Sequence, residues 1–186
     1  MENTIFMGAR IRLSAVRDED VPTVATWQSD LGLQRLVNPG GVGPMTTAYL
    51  LDPNGWFMAD RKNKQAFLFA VRTTLDNQFI GISAINNMNV TAHHAEIGIN
   101  LGHSEYQSKG YGGDVMLTTM RFGFEQLNLN RIWLNVFAYN TRAIRLYEKL
   151  GFVHEVCERE MLYRDGQYYD NLQMGLLRTE WEERYG

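Results

Sequence analysis

Gln107-Ser108-Lys109-Gly110-Tyr111-Gly112-Gly113 lies between a strand-like run, Ala95–Leu101, and a helix-like run, Asp114–Leu127. Strand, glycine-rich turn and helix together form a cradle for a phosphate group. Glycine lets the backbone approach an anion closely, and several N–H groups can then point at it. The helix N-terminus adds about half a unit of positive charge. The stretch therefore predicts a mixed α/β chain that docks a phosphate or diphosphate at this turn.

Two common phosphate loops fail on spacing. A P-loop ends Gly-Lys-Ser/Thr. Here Lys109 precedes the glycine and Tyr111 follows it. A dinucleotide fingerprint needs a glycine or alanine three residues after Gly112, and that position is Val115. What remains is Gln/Arg-x-x-Gly-x-Gly/Ala, met by Gln107, Gly110 and Gly112. An ordinary tight strand–helix turn also contains glycines, so the turn alone does not decide.

Working outward, residues 10–16 read as a strand. Asp18-Glu19-Asp20 then opens a helix carrying Val21, Val24 and Trp27, with Asp18 as its N-cap. Residues 31–60 are irregular: a loop at Asn38–Pro44, a helix from Thr46, and a turn at Asp52-Pro53-Asn54-Gly55. Gln65–Arg72 and Phe79–Asn86 suggest a hairpin. Arg131–Phe137 is a further strand, and Asn140–Leu150 a short helix closed by Gly151. Val156–Tyr163 and Tyr168–Leu176 form a last hairpin around Arg164-Asp165-Gly166. The tally is about seven strands and four helices, in one domain spanning 1–186.

Composition narrows the function classes. The chain has 186 residues, 45% hydrophobic and 21% charged, which suits a soluble globular domain. A net charge of −3 weighs against nucleic acid as partner and is permissive for a cationic substrate. Cys157 is the single cysteine, so an internal disulfide and a cysteine metal cluster are excluded, and a reducing cytoplasm is expected. No apolar run approaches the ~18 residues of a membrane span, and Met1–Leu13 lacks the apolar stretch of a secretion signal.

Three features in the same order lower the weight of the ordinary-turn reading. They are the glycine turn, Glu96 on the strand before it, and Asn140-Thr141-Arg142-Ala143-Ile144-Arg145-Leu146-Tyr147-Glu148-Lys149-Leu150-Gly151-Phe152 after it. Together they resemble the GNAT superfamily of acyl-CoA-dependent N-acetyltransferases over residues 65–177. Ile11–Trp27 and the Arg164–Asp170 hairpin resemble the subfamily of ribosomal-protein N-terminal and spermidine acetyltransferases. The resemblance implies a GNAT-like α/β (α+β) fold, with a mixed, mostly antiparallel sheet of about seven strands and helices on both faces. It implies acetyl-CoA as co-substrate, no metal, direct attack by an amine with a protein or peptide N-terminus as the favoured acceptor, and a homodimer as the expected assembly. Two other functions stay open: a polyamine or small-amine acetyltransferase, and a non-catalytic acyl-CoA-binding regulator.

Carried onto this sequence, the resemblance places the diphosphate over Ser108, Lys109, Gly110, Tyr111, Gly112 and Gly113, with Gln107 at the rim. The pantetheine arm would pair with Ile99, Asn100 and Leu101, while Gly98 and Gly102 leave it room. Glu96 is the general-base candidate or a cation-binding carboxylate. An ordinary Glu titrates near 4.3 and a primary amine near 10, so direct deprotonation is uphill unless the Glu is desolvated or acts through water. Tyr147 matches the position whose hydroxyl meets the leaving thiolate, and Asn140 caps its helix or touches the arm. Cys157 reads as a packed, inert thiol, and His93 and His94 as turn residues. His103 lies near enough to approach the cofactor, although no spacing requires it.

The acceptor is less legible. Residues 155–186 hold eight acids against four arginines, either an acidic wall for a cationic acceptor or a solvated face, the second being the simpler reading. Trp27, Trp56 and Phe57 either line the acceptor pocket or pack in the core.

Overall fold

The computed structural model describes residues 4–40, 43–52, 57 and 66–186. Among them run strands β1 (Ile11–Ala15), β2 (Phe67–Thr73), β3 (Phe79–Asn89), β4 (His94–Leu101), β5 (Arg131–Phe137), β6 (Val153–Arg164) and β7 (Gln167–Leu177). They form one seven-stranded sheet in the order β1-β2-β3-β4-β5-β7-β6. Every neighbouring pair is antiparallel except β4 and β5. That parallel pair holds through only three positions, His94–Arg131, Ala95–Ile132 and Glu96–Trp133. β3 follows β4 to Leu101. The two central strands therefore part after Glu96, and the next stretch of β4 has a hydrogen-bonding edge with no strand beside it.

The helices cover both faces. On one lie α1 (Val21–Gln28), α2 (Leu31–Val37) and α3 (Thr47–Leu50). They bury Val21, Val24, Trp27, Leu33 and Leu50 with Phe57, Ala70 and Phe79. On the other lie α4 (Tyr111–Arg121), α5 (Thr141–Leu150) and α6 (Arg178–Tyr185). Val115, Met116 and Met120 of α4 are fully buried there against Ile85, Ile97, Ile132 and Leu134. Each such side chain contributes about 1.5–3 kcal/mol by leaving water.

Several expectations are corrected. Asp18 does not cap α1. A short 3₁₀ turn, Asp18–Asp20, precedes the helix, and Pro22 stands in its first turn. Asp20 occupies the cap position but sends its carboxylate to Arg72 at 2.6 Å, a buried ion pair. The run 114–127 is not one regular helix. α4 starts three residues earlier because Gly110, at φ 88°, turns the chain sharply into it. It then widens into a π turn at Phe122–Gln126, which seats Phe124 in the core. The segment after residue 30 is not wholly irregular, since α2 occupies it. Asp30 starts α2 by accepting the Leu33 N–H at 3.1 Å. Six α-helices stand among the described residues where four were counted.

The last hairpin turns on Asp165 and Gly166, at φ 50° and 82°. Both central residues are left-handed, as a tight two-residue turn between twisted strands requires. Trp27 and Phe57 pack in the core. Trp56, the turn residues 53–55 and Gln65 lie outside the described residues. No helix is long and apolar enough to cross a membrane among the described residues.

Candidate active site

A cavity of about 630 Å³ opens where β4 and β5 part. From β4 it takes Glu96, Ile97, Gly98, Ile99, Asn100 and Leu101. The glycine turn contributes Gln107, Ser108, Gly110, Gly112 and Gly113, and α5 contributes Asn140, Arg142, Ala143, Leu146 and Tyr147. The sequence candidates thus meet at one opening, apart from Lys109 and Tyr111, which do not line it. Lys109 is exposed and gives its carbonyl to Arg10 at 2.6 Å. The Tyr111 ring packs edge-on against Tyr106, with the Arg10 guanidinium 6.0 Å from its centre.

The turn is held from both sides. Gly110 brings no side chain to cap α4, so the first-turn N–H groups have no side-chain acceptor. The Asp114 carboxylate faces away from the opening and accepts from the N–H groups of Ala9, Arg10 and Ile11 at 2.9, 2.6 and 3.1 Å. Gln107 donates to the Leu101 carbonyl at 3.2 Å and accepts from Arg142 at 2.7 Å. Arg142, which the sequence reading passed over, is thereby fixed as a cation at the mouth beside the turn. Its signal was local: a basic residue in the first turn of the helix that follows Asn140.

The glycines differ in purpose. A Cβ on Gly98 would meet nothing within 4 Å, and one on Gly112 would meet Leu146 at 3.4 Å, an ordinary contact. The chain's own packing does not require either to be glycine, so their openness serves the cavity. Gly102 is otherwise. A Cβ there would lie 1.9 Å from the Trp27 indole. Its missing side chain makes room for Trp27, not for a cofactor arm, which corrects that expectation.

Glu96 is half-buried, and both its oxygens are engaged. Asn87 Nδ2 donates to one at 2.6 Å and Asn135 Nδ2 to the other at 3.0 Å. Asn86 and Asn100 line the same cavity, each with a buried Oδ1 that has no partner. Tyr147 stands on the α5 face that looks into the cavity, and desolvation pushes its phenol up to about 12. It is a protonated donor at any physiological pH. Asn140 caps α5, accepting the Ala143 N–H at 3.3 Å.

The other wall is apolar. Leu33, Leu36 and Val37 of α2 face Leu68 and Ile82 of the sheet. These α2 residues were missed, although an Asp N-cap and the 33/36/37 spacing are helix signals. α2 is tied down by the last hairpin. Arg164 donates to the carbonyls of Arg35, at 2.5 Å, and Asn38, and Asp165 pairs with Arg35.

None of the eight acids in residues 155–186 lines the cavity, so no acidic wall forms there. Glu155 pairs with Arg131, Asp165 with Arg35, and Glu180 caps α6. Cys157 is exposed rather than packed. Desolvation, then the hydrogen bond to Asp170 and that residue's charge, hold its thiol above the usual range. His93 sits in a turn at φ 53°, and His103 packs edge-on against Trp27.

A family profile described as "Acetyltransferase (GNAT) domain" matches residues 10–153. The uncharacterized N-acetyltransferase YokL of Bacillus subtilis, derived from prophage SPbeta, is 26% identical over the full length of both chains. The uS5-alanine N-acetyltransferase of Escherichia coli, which acts on a ribosomal protein, is 27% identical over 69% of this chain and 70% of its own. The spermidine N(1)-acetyltransferase of Vibrio cholerae is 31% identical over 56% of this chain and 60% of its own. The crystal structure of spermidine N-acetyltransferase from V. cholerae, in complex with CoA and spermine, superposes at a TM-score of 0.81 with 22% identity. The match covers 92% of this chain and 98% of that one. The splayed central strands and the glycine turn thus carry a family signature that spans most of the sequence: the chain belongs to the GNAT acetyltransferases and is an N-acetyltransferase.

Proposed function

We propose that residues 1–186 act as one domain that binds acetyl-CoA and transfers its acetyl group to an amine by direct attack, with a peptide or protein N-terminus as the favoured acceptor. One observation carries the reading: the unpaired edge of β4, the glycine turn, Glu96 and Tyr147 all open into one cavity. The residues present fit the cofactor. First-turn N–H groups of α4 and the Arg142 cation suit a diphosphate. The free edge of β4, with Asn100 beside it, suits an extended chain bearing amides.

Acetyl-CoA supplies an acetyl thioester. The chain's residues would do the rest. Glu96, directly or through a water, receives the proton that the acceptor ammonium must lose before attack. The new N–C bond would form as the C–S bond breaks, the departing thiolate would take the Tyr147 proton, and the second proton that the attacking nitrogen sheds in becoming an amide would restore the phenol. The phenol's raised pKa keeps it protonated and a hydrogen-bond donor beside the departing sulfur, and its proton passes across as the nitrogen's own proton replaces it. Holding both substrates in one cavity supplies a large share of the rate enhancement.

The acceptor side supports one amino group rather than several. Glu96 is the sole carboxylate among the described residues lining the cavity, and α2 offers only apolar side chains beside it. A polyamine would leave its second cation unpaired there.

The test is release of free CoA from acetyl-CoA across amines and short peptides, beside calorimetric binding of acetyl-CoA. Turnover with a free peptide N-terminus is the expected result. No acetyl-CoA binding would overturn the assignment of the glycine turn, and binding without turnover on any amine would overturn the acceptor class.

A further inference from the structure

The carboxylate at the heart of the cavity is surrounded by asparagines. Asn87 reaches it only because the strand is irregular. On a regular strand Asn86 and Asn87 point to opposite faces. The β3–β4 register slips after Asn86, and Asn87 stands at φ 48°, so its Nδ2 swings onto Glu96. Bulges commonly redirect a side chain in this way beside active sites. Asn135 is fixed from behind. Its Oδ1 accepts from Asn171 at 3.2 Å, so its Nδ2 must face Glu96. Asn171 is buried and also donates to Glu158 at 2.6 Å.

Asn86 completes the group without taking part in it. It pairs directly with Glu96 across β3 and β4, which puts the two Cβ atoms about 5 Å apart. Yet its Oδ1 is buried with no partner. Leaving a buried acceptor unpaired is costly, and such groups are ordinarily satisfied. The Nδ2 groups of Asn87 and Asn135 go to Glu96 and not to it.

Resting on the amine-acetyltransfer reading above, we propose that Asn86 Oδ1 is the second ligand of the acceptor's amino group and sets the preference for a single cation. The ammonium gives one N–H to Glu96 and another to Asn86, whose amide lines the cavity and turns to present the Oδ1 that is otherwise buried. Once Glu96 has taken a proton, the Asn86 contact holds a remaining N–H and aims the nitrogen lone pair at the thioester carbonyl. A neutral amide at this position supplies an acceptor atom without a second charge. The site therefore holds one negative charge for one positive charge.

The test uses Asn86→Leu and Asn86→Asp, with Ala-Ala-Ala amide and spermidine as probes. Melting curves and acetyl-CoA affinity establish that each variant is folded. Asn86→Leu should raise KM for the tripeptide about tenfold or more, the usual effect of losing a hydrogen bond to a charged group, with acetyl-CoA affinity within about twofold. Asn86→Asp should raise the ratio of kcat/KM for spermidine over the tripeptide at least about tenfold, since two carboxylates in the site then favour an acceptor that carries more than one positive charge. Folded variants that leave the tripeptide KM and that ratio unchanged overturn the assignment and leave the proposed function standing. A wild-type chain that prefers spermidine overturns the single-cation preference. A wild-type chain that binds acetyl-CoA and acetylates neither probe overturns the amine reading and this assignment with it.

Discussion

Gly98 and Gly102 are four residues apart on one side of the same chain segment, and alanine should have opposite effects at the two. At Gly102 the new methyl would lie 1.9–2.4 Å from three atoms of the Trp27 indole. That ring is 4% exposed and packs 4.9 Å from Phe79 and 5.5 Å from His103, so it has nowhere to retreat. Overpacking of this kind costs about 1–3 kcal/mol, with the upper end apt for a trapped ring. Near 3 kcal/mol, in a chain of this size, melting should fall by about 6–12 °C. At Gly98 the methyl meets nothing within 4 Å. Removing a glycine's freedom from the unfolded chain should then stabilise by about 0.5 kcal/mol and raise melting by 1–2 °C. The same methyl projects into the cavity. A displacement of about 1 Å in substrate position costs up to about a hundredfold in rate, so kcat/KM should fall at least about tenfold. Differential scanning calorimetry and CoA-release kinetics on both variants read these effects. A Gly98→Ala variant as unstable as Gly102→Ala would refute the distinction between a glycine kept for the cavity and one kept for a neighbouring ring.

Tyr147→Phe should lower kcat about 10²–10⁴-fold, with acetyl-CoA affinity changed less than about threefold; an unchanged kcat would remove the acid role. Because the folded phenol is raised to about 12 from its usual 10, this group keeps its proton as pH rises. The alkaline limb it causes should appear near pH 12, and its contribution to stability should be intact below about pH 10 and lost progressively as pH rises to about 12. A limb near 10 that vanishes in the Phe variant would contradict the desolvated placement. Asp114→Ala frees three backbone N–H groups and should destabilise by about 2–3 kcal/mol by denaturant titration, weakening acetyl-CoA binding at the same time. Cys157 is exposed yet holds its proton more tightly than a free thiol. Alkylation at pH 8 should be slower than for a free cysteine, and Cys157→Ser should keep full turnover.

What could be read from the sequence was what short segments specify by themselves. Gly110 at positive φ, the Asn140 cap and the Asp165-Gly166 turn are local chain geometry, and each stands where the residues predict it. Helix α2 was missed because its neighbours Asn38–Pro44 are so rich in turn residues that they coloured the whole stretch. Its Asp30 cap and its three apolar side chains were nonetheless available. Gly102 was misassigned because its reason for being glycine is Trp27, some 75 positions earlier in the chain. The asparagines around Glu96 were out of reach for the same cause. Asn87, Asn135 and Asn171 come from three strands, and their meeting depends on a bulge and on the sheet order. The cavity's apolar wall likewise depends on Arg164 pinning α2 from the opposite end of the chain.

The edge of β4 that β5 leaves bare has a meaning for solubility as well. An unpaired strand edge on a protein's surface invites other chains to add to it, and natural sheets blunt such edges with charge, proline or a covering loop. Here the bare stretch lies in the middle of the sheet, roofed by α5 and walled by β5 and β7. It is not at the sheet's outer edge, where other chains add, and whatever pairs with it must first enter the cavity. The chain thus keeps a row of adhesive backbone groups without offering them as an outer edge.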